Sequence, residues 1–146
     1  MSEPLPIESL NHIARVTHDL ETSKAFYCDV LGFRPVWRPN FAFDGAWLFN
    51  YGIQIHLIVA TGDPVIDAPE TSIRASHVAF HVPDTDAVEK MLKQRGIHYK
   101  TNYVPDAGVT QLFFQDPDGF HIEIGNLSTH PKNGNQGIRS PPFPPG

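Results

Sequence analysis

The sequence predicts an α+β fold in which a single strand–helix–strands unit occurs twice. Three observations point to it. Asn11-His12-Ile13-Ala14-Arg15-Val16, with Asp19 seven residues after the histidine, is echoed 65 positions on by Ser76-His77-Val78-Ala79-Phe80-His81 with Asp84. Trp47-Leu48-Phe49 is echoed by Gln111-Leu112-Phe113, and Gly52-Ile53-Gln54-Ile55-His56-Leu57 by Gly119-Phe120-His121-Ile122-Glu123-Ile124, now at an offset of 67. Within each copy, alternation of period two flanks a segment of i,i+4 apolar spacing, which places strands around a helix.

Each element has a local cause. Residues 10–17 alternate as a strand, with His12, Ala14 and Val16 on one face. Asp19 is placed to cap a helix running to about Leu31, where Phe26/Val30 and Tyr27/Leu31 lie at i,i+4 spacing and Gly32 is the stop. Around His56 one face carries Gln54, His56 and Ile58, and the other Ile53, Ile55 and Leu57. Asp63-Pro64 to Pro69-Glu70 reads as the loop between the copies. At 77–82, His77, Ala79 and His81 oppose Val78, Phe80 and Val82. Asp84 then caps a helix bearing Val88/Leu92 and Ala87/Met91, closed by Gly96. Asp116-Pro117-Asp118-Gly119 is a turn, with proline at its second position and glycine where positive φ is needed, joining strands 110–115 and 120–125 as a hairpin. On the last strand His121, Glu123 and Gly125 oppose Phe120, Ile122 and Ile124. Apolar faces suit packing under helices, and the faces bearing His, Gln and Glu suit a cavity inside a curved sheet.

Composition narrows the setting. The 146 residues suffice for one domain, read as residues 1–126 with modules at 8–60 and 74–126. Residues 127–146 form a Pro/Gly-rich tail that buries little. Net charge −5 gives no basic footprint for nucleic acid. A lone Cys28, an N-terminus unlike a secretory signal and no apolar run of spanning length predict a cytoplasmic protein away from membranes.

A single strand histidine is more often hydrogen-bonded structure than a ligand, and His18, His98 and His130 fall near turns or ends. His12, His56, His77 and Glu123 differ, because the repeat pairs His12 with His77 and His56 with Glu123 on one sheet face. Imidazoles with a carboxylate suit one divalent ion (Zn, Ni, Fe, Mn or Co), and two histidines with one carboxylate leave coordination positions open for chemistry. Trp47, Phe49, Phe113 or Phe114, with polar Gln54, His81 and His121, are the candidate pocket wall for a small substrate.

These motifs resemble the vicinal oxygen chelate superfamily, in particular its glyoxalase-I-like members, over about residues 8–126. The residues carrying the likeness are Leu10-Asn11-His12, Phe26-Tyr27-Cys28-Asp29-Val30-Leu31-Gly32-Phe33, Ser76-His77-Val78-Ala79-Phe80 and Asp116-Pro117-Asp118-Gly119-Phe120-His121-Ile122-Glu123. The resemblance implies two βαβββ modules forming a curved mixed sheet around a metal-binding cavity. It implies His12, His77 and Glu123 as metal ligands, with His56 at the fourth position and Glu123 or His56 as the catalytic base of a lyase or isomerase. It also implies a homodimer in which each site takes His12 and His56 from one chain and His77 and Glu123 from the other. Glyoxalase I normally has glutamate where this chain has His56, and an arginine for glutathione where it has Val16. Fosfomycin thiol transferases and extradiol Fe(II) dioxygenases share the triad, but a tyrosine of each maps to Phe113. A non-catalytic binding module is a further alternative.

Overall fold

A computed structural model describes residues 4–62 and 70–127. The chain order is β1 (His12–Thr17), α1 (Leu20–Ala25), a π-helical turn (Phe26–Val30), β2 (Arg34–Val36), β3 (Gly45–Asn50) and β4 (Ile53–Val59), then β5 (His77–His81), α2 (Thr85–Gln94), β6 (Lys100–Val104), β7 (Val109–Gln115) and β8 (His121–Gly125). Strand, helix and three strands thus occur twice. As the two βαβββ modules predict, the strands form two four-stranded sheets, ordered β1-β4-β3-β2 and β5-β8-β7-β6. The first sheet is mixed: β1 runs parallel to β4, while β3 runs antiparallel to both β4 and β2.

The caps act as their residue types require. Asp19 accepts from the Thr22 amide and Asp84 from the Ala87 amide, each at 3.1 Å. The first helix departs from the expected regular helix to Leu31, because its last turn widens and the Leu31 amide reaches back to the Phe26 carbonyl at 3.4 Å. That turn carries Tyr27, only 2% exposed, whose hydroxyl donates to Asp116 Oδ2 at 2.7 Å. Gly32, at φ +80°, then ends the helix, and a Cβ there would stand 2.8 Å from the Tyr51 hydroxyl.

The chain clusters into two compact units. One comprises the residues up to Thr71 with Gln115–His121, and buries Tyr27, Leu31, Phe33, Leu48, Ile55 and Leu57. The other comprises Ser72–Phe114 and the chain from Ile122, and buries Leu92, Val109, Leu112, Phe113, Phe114, Ile122 and Ile124. The Asp-Pro-Asp-Gly turn, although it belongs to the second repeat, lies in the first unit. Loop residues 63–69, the tail from 128 and His130 lie outside the described residues. Among the described residues no helix is long and apolar enough to cross a membrane.

Candidate metal centre

In the first unit, β1 and β4 pair so that Ala14 stands opposite His56, two positions along from His12 opposite Gln54. The His12 and His56 rings stack at 3.8 Å between centroids. Trp47, the cross-strand partner of His56 on β3, stacks on that histidine at 4.1 Å and 4°. His56 is buried, and its Nε2 donates to Gln54 Oε1 at 2.9 Å. Burial foremost, then the charges of His12 and Arg38, push the His56 imidazole below its ordinary 6.5, so it is neutral at neutral pH. His12 is exposed, and its Nδ1 donates to Asn11 Oδ1 at 2.7 Å, which leaves the Nε2 lone pair for a ligand. Arg15, on the opposite face of β1 from Val16, lies over the Phe120 ring at 4.7 Å.

In the second unit, His77 Nδ1 is 2.8 Å from the Ala75 carbonyl oxygen. A carbonyl only accepts, so the proton is on Nδ1 and the lone pair on Nε2. That Nε2 stands 3.9 Å from Glu123 Oε1. Glu123 is buried, and its Oε1 accepts from Gln111 Nε2 at 2.7 Å. Gln111 Oε1 in turn accepts from Asn102 Nδ2 at 2.8 Å, across the β6–β7 register that pairs these two residues. A polar line therefore crosses all four strands of the second sheet: Asn102 on β6, Gln111 on β7, Glu123 on β8 and His77 on β5. Phe113 packs edge-on to His77 at 5.4 Å.

The four expected ligands thus stand as two pairs, His12 with His56 and His77 with Glu123. Among the described residues no group of three or more His, Cys, Asp or Glu side chains converges to hold a metal ion. The donor chemistry of each pair nevertheless fits one: His12 and His77 keep Nε2 lone pairs, and Gln111 orients the buried carboxylate as an outer partner orients a ligand.

A sequence model of the Glyoxalase/Bleomycin resistance protein/Dioxygenase superfamily matches residues 9–124. The chain belongs to that superfamily. It is 43% identical over 133 residues to Glyoxylase I 4 of Arabidopsis thaliana, covering 88% of this chain and 76% of that protein. It is 32% identical over 127 residues to lactoylglutathione lyase of Haemophilus influenzae, covering 80% and 92%. In fold it is similar to the fosfomycin resistance protein FosX of Listeria monocytogenes complexed with Mn(II) and 1S,2S-dihydroxypropylphosphonic acid, with TM-score 0.69, 17% identity and coverage of 84% and 95%.

Within the superfamily frame, the remaining expected pocket residues separate. Trp47 and Gln54 touch His56, and Phe113 touches His77. His81 is exposed and its Nδ1 donates to the Leu127 carbonyl at 2.7 Å, so it tethers the chain after β8. His121 is fully buried in β8. Sequence reading missed Asn102 and Gln111 as partners of Glu123. The repeat carried the signal for Gln111, because it stands where Trp47 stands in the first copy, and the side chain of each contacts a ligand-type residue. Arg38, Phe41 and Phe43 were also missed. They line a cavity of about 330 Å³ with Trp47, His12 and His56.

Proposed function

We propose that this chain is a metal-dependent, glyoxalase-I-like lyase or isomerase acting on a small substrate with two vicinal oxygens. His12, His56, His77 and Glu123 would hold the ion. The observation that carries this reading is the placement of His77: its Nδ1 lies 2.8 Å from the Ala75 carbonyl oxygen, which presents Nε2 to the buried, amide-held Glu123. The names of two relatives, Glyoxylase I 4 and lactoylglutathione lyase, and the Mn(II) in the FosX complex support the same chemistry.

Held by these residues, a divalent ion (Zn, Ni, Fe, Mn or Co) would supply Lewis-acid polarisation of a substrate carbonyl. The chain's own part is proton transfer and orientation. Glu123, steadied by Gln111, accepts a proton from one carbon and returns it to its neighbour. His56, neutral and with its Nε2 on Gln54, carries its lone pair on Nδ1 and would be the base in place of Glu123 only where it does not hold the ion. Trp47 gives the substrate a flat wall and Gln54 a further polar contact, while Phe113 and His121, both buried, support the site from within and His81 keeps its tether to Leu127. The protein works in the cytoplasm as a homodimer, in which the two ligand pairs complete each other across chains.

Metal content decides the reading. Wild type made without added metal, then titrated with Ni, Co, Zn, Mn or Fe(II), is expected to take up one ion per chain by mass spectrometry. His77→Ala is expected to lose that stoichiometric ion while keeping its fold; unchanged metal content in the variant overturns the assignment. Oxygen uptake by the Fe(II)-loaded protein with catechols separates the dioxygenase alternative. Val16 offers no cation for a glutathione carboxylate. Turnover of the glutathione–methylglyoxal hemithioacetal is therefore expected to be weak, and a rate equal to that of an authentic glyoxalase I, followed by thioester absorbance, would reject that specificity.

A further inference from the structure

We infer that Arg38 is the specificity residue for an anionic, flat substrate, holding a carboxylate beside the His12–His56 pair while Phe41, Phe43 and Trp47 bracket the conjugated part. The inference rests on the catalytic reading above for what happens next, but its geometry stands on the first unit alone.

Arg38 and the three aromatic rings line a single cavity of about 330 Å³ that also exposes His12 and His56, a volume suited to a small ring compound. The guanidinium lies 4.9 Å from the Phe41 ring centre and 5.3 Å from that of Phe43, and one Nη2 hydrogen bond goes to the Phe43 carbonyl at 2.7 Å. The two phenyl rings stack on each other at 5.4 Å and 16°, and Phe41 lies 5.9 Å from Trp47. Gly45 makes room for this arrangement, since a Cβ there would meet the Leu57 carbonyl at 2.3 Å and Arg38 Nη2 at 3.3 Å. No carboxylate pairs with Arg38 among the described ion pairs. A guanidinium has five donors in a planar fork, and only one hydrogen bond is used here, so the remaining donors are suited to a carboxylate's two oxygens. The aromatic rings beside the guanidinium hold the cation in place by cation–π contact. Phe41 and Phe43 are 42% and 49% exposed, which leaves their faces open to a ligand's ring.

The test uses full-length protein stripped of metal with EDTA, so that chelation contributes nothing. The probes are phenylglyoxylate and its primary amide, equal in shape and differing in charge, titrated by NMR. Wild type is expected to bind the acid on the order of ten-fold more tightly than the amide, with the gap shrinking as salt rises. Arg38→Gln keeps a donor for the Phe43 carbonyl but no charge, and is expected to bind both probes equally; Arg38→Lys is expected to retain part of the preference. Equal binding of acid and amide by wild type, an undiminished preference in Arg38→Gln, or no binding of either probe at millimolar concentration overturns the inference. Metal uptake by the same proteins separates the two ideas. Loss of the acid preference with metal uptake intact sinks the anion subsite alone, and absence of metal uptake with the preference intact sinks the catalytic reading alone.

Discussion

Gln111 shows how much one neutral side chain can decide about a charged one. Glu123 is buried on β8, and a buried carboxylate needs partners to remain ionised and aimed. Gln111 supplies a donor at 2.7 Å, and Asn102 fixes which way the Gln111 amide faces by donating to its oxygen at 2.8 Å. Replacing Gln111 with Leu removes that donor without adding bulk to the second sheet. We expect metal affinity, read by competition with a chromogenic chelator, to fall on the order of 10–100-fold, the usual cost of losing a ligand's outer partner. Asn102→Ala is expected to move it in the same direction by less. Val16, Arg15 and His12 illustrate the other use of a residue's address: three positions along β1 separate the exposed His12 from an arginine turned onto Phe120.

At the scale of the element, the Asp116–Gly119 turn is more than a hairpin connection. Asp116 Oδ1 accepts the amides of Asp118 and Phe120 at 2.9 Å each, which closes the turn from within. Asp118 accepts from Ser23 Oγ at 2.9 Å and from both the amide and the ring Nδ1 of His18, at 3.1 and 2.9 Å. Burial alone would raise the Asp118 carboxyl, but bonds from His18, Thr17 and Ser23 outweigh it and hold the group below its ordinary 3.8. A depressed folded-state pKa means that the native state binds fewer protons than the unfolded chain near that pH. The resulting stability is present above about pH 4 and is lost as pH falls through the folded value. Asp118→Asn is therefore expected to cost about 1.5–3 kcal/mol at neutral pH, the worth of hydrogen bonds to a charged acceptor. Urea unfolding should show the gap to wild type narrowing below pH 4; a constant gap down to pH 2.5 would refute the linkage. The neighbouring widened turn at Phe26–Val30 belongs to the same arrangement, since Tyr27 ends on the other turn carboxylate.

For the whole molecule, the proposed function requires that two pairs of ligand-type residues combine. Each compact unit holds one pair, and the ligand-bearing residues at the starts of β1 and β5 are exposed. An isologous dimer would supply each pair with the other from its partner, giving two equivalent sites. Mixing His12→Ala chains with Glu123→Ala chains is the decisive experiment. Each homodimer is then expected to be metal-poor, whereas the heterodimer regains one intact site, so metal content and activity rise on mixing. Light scattering that finds only monomer still carrying one metal would reject shared sites.

The repeat, the two capping aspartates, the turn glycines and the alternation around His12, His56, His77 and Glu123 were all legible in the chain. They are short-range properties: period, cap chemistry and φ preference act over a few residues. From them followed the doubled strand–helix–strands order and the pairing of ligand-type residues by copy. The widening of the first helix and the assignment of the Asp116–Phe120 turn to the first unit did not follow, because each is set by partners about 90 positions away. Arg38 was invisible for the same reason: nothing local distinguishes an arginine in an irregular loop until Phe41, Phe43 and Trp47 are seen around it. Local chemistry determined which residues form strands, caps and ligand pairs; long-range contact decided which neighbours orient them, since hydrogen bonds and stacking depend on distances that chain order does not encode.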